Sequence, residues 1–464
     1  MATSPDRRQF LNRTLTAGAL AGLADFGFLR GLPPVSADEA KLPSSVCRFT
    51  PEIEPLVRLI EDTPREKLME VAAAAVGAGT SYQQLLAAVL LAGVRGIKPR
   101  PVGFKFHAVL VINSAHLAAQ AAPDRDRWLP LFWALDNFKS SQAKNKEESG
   151  GWMMSAVDEA KLPPATQARA RFTEAMDNWD EEGADRAVTA LVRSAGAEEV
   201  IETFWRYGAR DFRDIGHKAI YVANSWRAMQ TVGWRHAEPV MRSLAFALLE
   251  HEGDNPAKRD DMRDRPGREN LERVWKVRRD WQQGKPSARA GQELVGVLRT
   301  AGPGEACDWV VAELNKGVAP ASLWDGLFLR AGELLMQQPG IIGVHCVTSI
   351  NALHYGYTAS GDDATRRFLL LQAAAFLPLF RGFMDGRGKV RTDLHLDALE
   401  KEDVKAKGPE AVEEILAEVS KDKLSAARKT LAWLAAEDGQ AGALMTAARR
   451  LIFNKGTDAH DYKF

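Results

Sequence analysis

The chain has 464 residues, 45% of them hydrophobic and 26% charged, and 61 Lys and Arg balance 61 Asp and Glu. A formal net charge of zero provides no basic surface to neutralise phosphates, which argues against nucleic acid as a partner. The three cysteines, Cys47, Cys307 and Cys346, make no CxxC pair and no disulfide framework, although an oxidising compartment allows one bridge.

At the N-terminus, Ser4-Pro5-Asp6-Arg7-Arg8-Gln9-Phe10-Leu11 matches a twin-arginine export signal, in which paired arginines precede a large apolar pair. A weakly hydrophobic stretch follows from Thr14 to Phe28, interrupted by Asp25. Val35-Ser36-Ala37 then reads as a small-x-small cleavage site before Asp38. The segment is too short and polar to span a bilayer. Residues 1–37 are therefore expected to be a signal peptide handed to the twin-arginine translocase, and 38–464 the periplasmic or otherwise exported protein. The resemblance to such signals implies a route that carries folded proteins, often with a cofactor already inserted. No later stretch approaches 18 uninterrupted apolar residues, so no stable membrane insertion is expected.

The rest of the chain reads as helix. Leu85 to Val94, Ala187 to Val192, Val200 to Tyr207, Val240 to Leu249 and Phe368 to Phe380 carry apolar residues at three- and four-residue steps or in runs of helical length. Breakers separate them at Lys98-Pro-Arg-Pro, Leu162-Pro-Pro, Asp254-Asn-Pro and Gln338-Pro-Gly. Lys139 to Gly151 and Glu252 to Glu269, rich in charge and Gly, Asn or Pro, read as exposed loops. The charged runs Arg259 to Arg268 and Glu400 to Lys407 read as solvated faces. Trp133, Trp205, Trp226 and Trp234 read as core.

One phrase occurs twice, 238 residues apart: His107-Ala-Val-Leu-Val-Ile-Asn113-Ser-Ala-His116 and His345-Cys-Val-Thr-Ser-Ile-Asn351-Ala-Leu-His354. Both copies keep His, Val, Ile, Asn and His in register, which is hard to obtain by chance from a chain with nine histidines. Gly216-His217 with Asn224-Ser225-Trp226-Arg227 is a looser third copy, and Gly456-Thr-Asp-Ala-His460 supplies a fourth His. Gly79, Gly196, Ala319 and Gln440 each open a similar amphipathic segment ahead of these histidines. The expected architecture is all-α: multi-helix units repeated about four times, over 64–150, 164–253, 290–385 and 409–464. They would pack into one helical body around a central pocket. The spacing is too long for a solenoid.

Residues nine apart on a straight helix lie about 180° apart, so His107 and His116 cannot face one site unless the helix is broken. Asn113 and His116 share a face, as do Asn351 and His354. Glycines just upstream (Gly103, Gly216, Gly343) place the first His at a helix entrance. Imidazole suits Zn, Fe or Cu, or proton transfer near neutral pH. His345 and His107 are the leading catalytic candidates, with His217 and His460 completing a ring. The same four are the candidate metal ligands. Asn113, His116, Asn351 and His354 are candidate cofactor-binding groups, the two asparagines orienting the ring. The competing reading makes each His a buried hydrogen-bond staple inherited with the duplication. No Glu-x-x-His, HExxH, C-x-x-C-H, Walker or Gly-x-Gly-x-x-Gly motif occurs, so di-iron carboxylate bundles, zincins, c-type haem and nucleotide folds lack support.

Val344-His345-Cys346-Val347-Thr348-Ser349, Gly216-His217-x-x-Ile220 and Asp458-Ala459-His460-x-x-Lys463 resemble elements of the questin oxidase-like family. That resemblance implies a mainly helical protein with spaced histidines and a Baeyer–Villiger-type, NADPH-linked oxygenation that opens an anthraquinone ring. Two departures stand out: no nucleotide fingerprint is present, and the export signal separates the protein from cytoplasmic NADPH. The reading that follows is an exported oxygenase-like oxidoreductase acting on an aromatic or apolar small molecule in a His-lined pocket. Its alternatives are a non-catalytic helical-repeat binding protein and a metal-dependent hydrolase.

Replacing Arg7 and Arg8 by Lys is expected to leave unprocessed precursor in the cytoplasm. Immunoblotting of cell fractions checks this, and normal cleavage before Asp38 would refute twin-arginine targeting.

Overall fold

The computed structural model describes residues 46–436, 441–455 and 459–462. The export signal and its cleavage site, Gln440, and Asp458 and Lys463 of the terminal motif lie outside these residues. The described chain is all-α, as expected: twenty α-helices and short 3-10 turns, with two isolated β-bridges and no strand among the described residues.

In chain order the helices are α1 (Glu54–Asp62), α2 (Arg65–Gly77), α3 (Tyr82–Gly96), α4 (His107–Leu110), α5 (Ile112–Ala121), α6 (Leu129–Ser149), α7 (Ala168–Asp177), α8 (Glu181–Ser194), α9 (Ala197–Ala209) and α10 (His217–Val232). They continue as α11 (Ala237–Leu248), α12 (Arg265–Arg273), α13 (Ala288–Thr300), α14 (Pro303–Lys316), α15 (Pro320–Gln337), α16 (Ile341–Ala359), α17 (Asp363–Asp385), α18 (Gly408–Glu418), α19 (Lys423–Leu434) and α20 (Ala441–Lys455). Contacts divide the chain into two compact units. One takes in the described residues up to Asn113 together with Ala134–Arg391; the other takes in Ser114–Trp133 and the described part of Thr392–Phe464. In the second unit, Ala411, Val412 and Ile415 of α18 pack with Trp433 of α19.

Local chemistry sets the helix ends. Ser81 and Gln84 form a reciprocal capping box at the start of α3, and Asp180, Ser287 and Asp362 cap α8, α13 and α17 through side-chain oxygens. The proline-containing breakers all fall between helices. The segments beginning at Gly79, Gly196 and Ala319 open α3, α9 and α15.

Lys139 to Gly151 is not a loop. Residues up to Ser149 continue α6, and the break comes at Gly150 and Gly151, with φ of 61° and 72°. Lys139, Ser141 and Asn145 turn inward, while Lys144, Lys146, Glu147 and Glu148 are exposed. Lys139 Nζ donates to the Glu61 carbonyl at 2.6 Å, and Asn145 Nδ2 donates to the carbonyls of Gly96 and Trp152 at 2.9 Å. Its buried polar groups satisfy the backbone of neighbouring elements, and its exposed charges line the solvent face of the helix. Glu252 to Glu269 is a loop only as far as Asp264, where α12 begins.

The centre of the larger unit is α17, whose residues from Arg367 to Pro378 are all buried. It packs on α16, α14 and α9. By length and composition α17 could cross a membrane, but 72% of its most apolar window is buried inside the protein, as befits a core helix. Trp133 and Trp205 are core, whereas Trp226 and Trp234 are half-buried and meet edge to face at 6.1 Å. The three cysteines are free and buried.

α13 and α15 cross at a pair of glycines. A Cβ on Gly326 would lie 2.6 Å from the Gly291 carbonyl oxygen, and one on Gly291 would lie 2.8 Å from that of Ser322. Backbone cannot yield as a flexible side chain does. Gly326→Ala is therefore expected to cost about 1–3 kcal/mol as overpacking, read as a lowered thermal midpoint. An unchanged midpoint would show that the crossing relaxes freely.

Candidate metal centre

Three of the four ring histidines meet in the larger unit. The Nε2 atoms of His107 and His217 lie 3.0 Å apart, and those of His217 and His345 lie 2.8 Å apart. All three side chains are buried, His345 completely, and one nitrogen from each falls within 4.8 Å of the other two. They come from α4, α10 and α16, separated by 110 and 128 residues.

Helix breaks deliver them. His107 and His217 are the first residues of their helices, as the upstream glycines predict, and His345 sits one turn into α16. The first copy of the phrase is interrupted at Val111, so His107 belongs to the short α4 while Asn113 and His116 belong to α5. Left-handed backbone precedes both entrance histidines. Gly103 and Phe104 have φ of 121° and 48°, and Asp214, Ile215 and Gly216 have φ of 51°, 48° and 80°. A β-branched residue at positive φ is a true outlier, and each such residue stores about 1–3 kcal/mol. The turn is fastened from α16: Ser349 Oγ donates to the Ile215 carbonyl at 3.4 Å. Two glycines allow the close approach. A Cβ on Gly216 would lie 2.0 Å from Ser349 Oγ, and one on Gly103 would lie 3.0 Å from the His217 ring.

The hydrogen bonds assign tautomers. His217 Nδ1 lies 2.5 Å from the Asp214 carbonyl oxygen, and His345 Nδ1 lies 2.6 Å from that of Ile341. A carbonyl only accepts, so both Nδ1 atoms carry hydrogen. In the neutral rings both Nε2 atoms then present lone pairs, and lone pairs repel at 2.8 Å. A cation shared by His217 and His345, either a transition metal or a proton that makes one ring imidazolium, would relieve that repulsion, and the three nitrogens are close enough together to hold one metal ion. Backbone carbonyls that fix ring orientation from the far nitrogen are the usual outer support of a metal-bound His.

The electrostatics around the turn are set by burial. One carboxylate oxygen of Asp214 is buried without a hydrogen-bond partner, and burial pushes this carboxyl up to about 6 against the pull of Lys218. Lys218, itself fully buried, donates to Asp211 at 2.9 Å, and Arg213 donates to Asp264 at 2.5 and 2.7 Å. Apolar rings lie close by: Phe106 on Tyr221 at 4.9 Å, and Phe212 on Phe380 at 4.7 Å. Cys346, next to His345, is no member of the group; burial pushes its thiol up, so it stays protonated.

His460 belongs to the smaller unit, in the turn Ala459–Tyr462, and is half-buried. Asn113 and His116 are buried on α5, and burial lowers the His116 pKa. Asn351 is exposed on α16. His354 packs among Trp324, Phe328 and Tyr357, at 4.8, 5.3 and 6.0 Å between ring centres. The asparagines expected to orient the ring thus give way to backbone carbonyls of Asp214 and Ile341. Sequence reasoning missed Asp214 and Ser349. The acid three residues before His217 was visible, but nothing in the sequence marks a strained turn built on non-glycine residues.

In the apo protein at neutral pH, long-range proton–nitrogen correlation spectra are expected to show hydrogen on Nδ1 of both His217 and His345, whether either ring is neutral or imidazolium. Nε2-protonated patterns for both would overturn the tautomer assignment. No family model, no curated protein and no solved structure matches this chain.

Proposed function

We propose that this chain is a transition-metal oxidoreductase of the oxygenase type, acting on an aromatic or apolar small molecule, with His107, His217 and His345 as the metal ligands. The observation that carries this reading is the 2.8 Å approach of two Nε2 atoms on rings whose Nδ1–H groups are already committed to carbonyls. Three neutral imidazoles suit Fe, Cu or Zn. They leave the charge of a divalent ion unneutralised and, in catalytic sites, a coordination position open to substrate. When bound, such an ion supplies Lewis acidity and, if it is Fe or Cu, one-electron chemistry.

The chain's own residues hold and orient. Asp214 and Ile341 carbonyls fix two rings, Gly103 covers the face of His217, and Phe106, Tyr221, Phe212 and Phe380 supply apolar surroundings. The resemblance to questin oxidase-like proteins supports the oxygenase class. The twin-arginine-like N-terminus supports an exported protein that acquires its metal before export.

A second reading keeps the geometry but not the metal: a proton shared by His217 and His345 also removes the lone-pair clash, which makes the cluster a structural staple. Metal analysis of the purified protein combined with His345→Ala separates the two. For a metal centre, the substitution lowers bound metal and the thermal midpoint together. Chelation erases the difference by stripping the parent as well. A staple loses about 1–3 kcal/mol with or without chelator, and the parent carries no metal. Iron or copper in the parent supports the oxygenase reading; zinc alone overturns it in favour of a hydrolase.

A further inference from the structure

Asn224 and Arg227 stand at the position of the repeated polar pair in the third copy of the His phrase, and their side chains bond to each other and to a neighbouring helix. The Asn224 side-chain amide donates to the Leu110 carbonyl at 2.9 Å. Leu110 is the last residue of α4, the helix that His107 opens. Asn224 Oδ1 accepts from Arg227 Nη1 at 3.2 Å. The Arg227 guanidinium lies 3.9 Å over the ring of Tyr355, whose hydroxyl donates to Gln230 at 3.0 Å. Tyr355 belongs to α16, the helix of His345, while Asn224, Arg227 and Gln230 belong to α10, the helix of His217. One polar chain therefore crosses all three ligand-bearing helices.

The weak member of the three is α4. Four residues make a single turn, and such a turn has little stability of its own because nucleation is unfavourable and few internal bonds form. Its terminal carbonyls lack intrahelical donors. The direction of the His107 ring thus depends on what holds each end of α4. The left-handed Gly103 and Phe104 hold the entrance, and Asn224 holds the exit. Asn224 can serve this way because Arg227 occupies its oxygen, which leaves the NH2 group aimed at Leu110. Arg227 is in turn set by its stack on Tyr355, for which the planar guanidinium is suited and an ammonium is not.

We infer that Asn224 is a positioning residue for the three-histidine centre, holding α4 so that His107 meets His217 and His345, with Arg227 and Tyr355 locking its orientation. This rests on the metal reading above. The test is Cu(II) added to full-length, chelator-stripped protein, with affinity measured by chelator competition and the number of bound histidine nitrogens by electron paramagnetic resonance. Asn224→Asp keeps size and the acceptor for Arg227 but replaces the donor to Leu110 with an acceptor. It is expected to weaken Cu(II) binding by about 10–100-fold and to reduce the signal from three histidine nitrogens to two. Arg227→Lys, a milder change, is expected to move both readouts in the same direction by less, and it serves where the first variant fails to fold. Three nitrogens and parental affinity in folded variants would overturn the positioning role while leaving the metal centre standing. A parent without a three-nitrogen signal would overturn the metal reading, and this inference with it.

Discussion

Two imidazoles that each donate Nδ1–H to a backbone carbonyl face each other with Nε2 lone pairs 2.8 Å apart, a repulsion that a shared metal ion or proton would relieve. Much of the surrounding structure answers to that constraint. The Asp214 carbonyl can reach His217 Nδ1 because Asp214 and Ile215 adopt left-handed backbone, which L-residues with a Cβ rarely do. Gly216 completes the reversal at a point where any side chain would collide with Ser349. On α16 the carbonyl that accepts from His345 belongs to Ile341, four residues earlier in the first turn.

A strained turn persists only when its surroundings over-determine it. Here they are dry and ionic on one side and aromatic on the other. Arg213 is held by Asp264 and Asp261, and Lys218 by Asp211 and the Glu250 carbonyl, so the residues flanking the turn are anchored at fixed places. Phe212 packs on Phe376 and Phe380 of α17 at 5.2 and 4.7 Å. Such buried pairs contribute little net stability, because desolvation offsets their attraction. Their value here is geometric, since a charge that cannot leave its partner fixes the backbone that carries it. Burial has the opposite consequence for Asp214, which lacks a cationic partner at one oxygen and is pushed up to about 6.

The periodicity of apolar residues, the caps and the proline breaks predict helices that the structure contains, with α3, α8, α9 and α17 enclosing the expected apolar segments and α11 all but the last residue of its own. Where composition misled, as at Lys139 to Ser149, hydrogen bonding was the cause: Lys139 and Asn145 are polar because buried carbonyls need donors. The duplicated phrase and its looser third copy contain the three histidines that meet. The phrase could not separate them from His116 and His354, which share the same words. One is buried on the far side of the break at Val111, and the other is enclosed by Trp324, Phe328 and Tyr357.

By itself the sequence determined the helical class, many of the helix ends, and the fact that His107 and His217 open helices after glycines. These are local matters, governed by side-chain spacing, capping and the conformational freedom of Gly. Only the tertiary structure decided which nitrogens converge, that the Asp214 carbonyl holds the opposite nitrogen of His217, and that Asn224 reaches Leu110, because each of those contacts joins helices more than 100 residues apart or depends on a backbone conformation that the residue types disfavour.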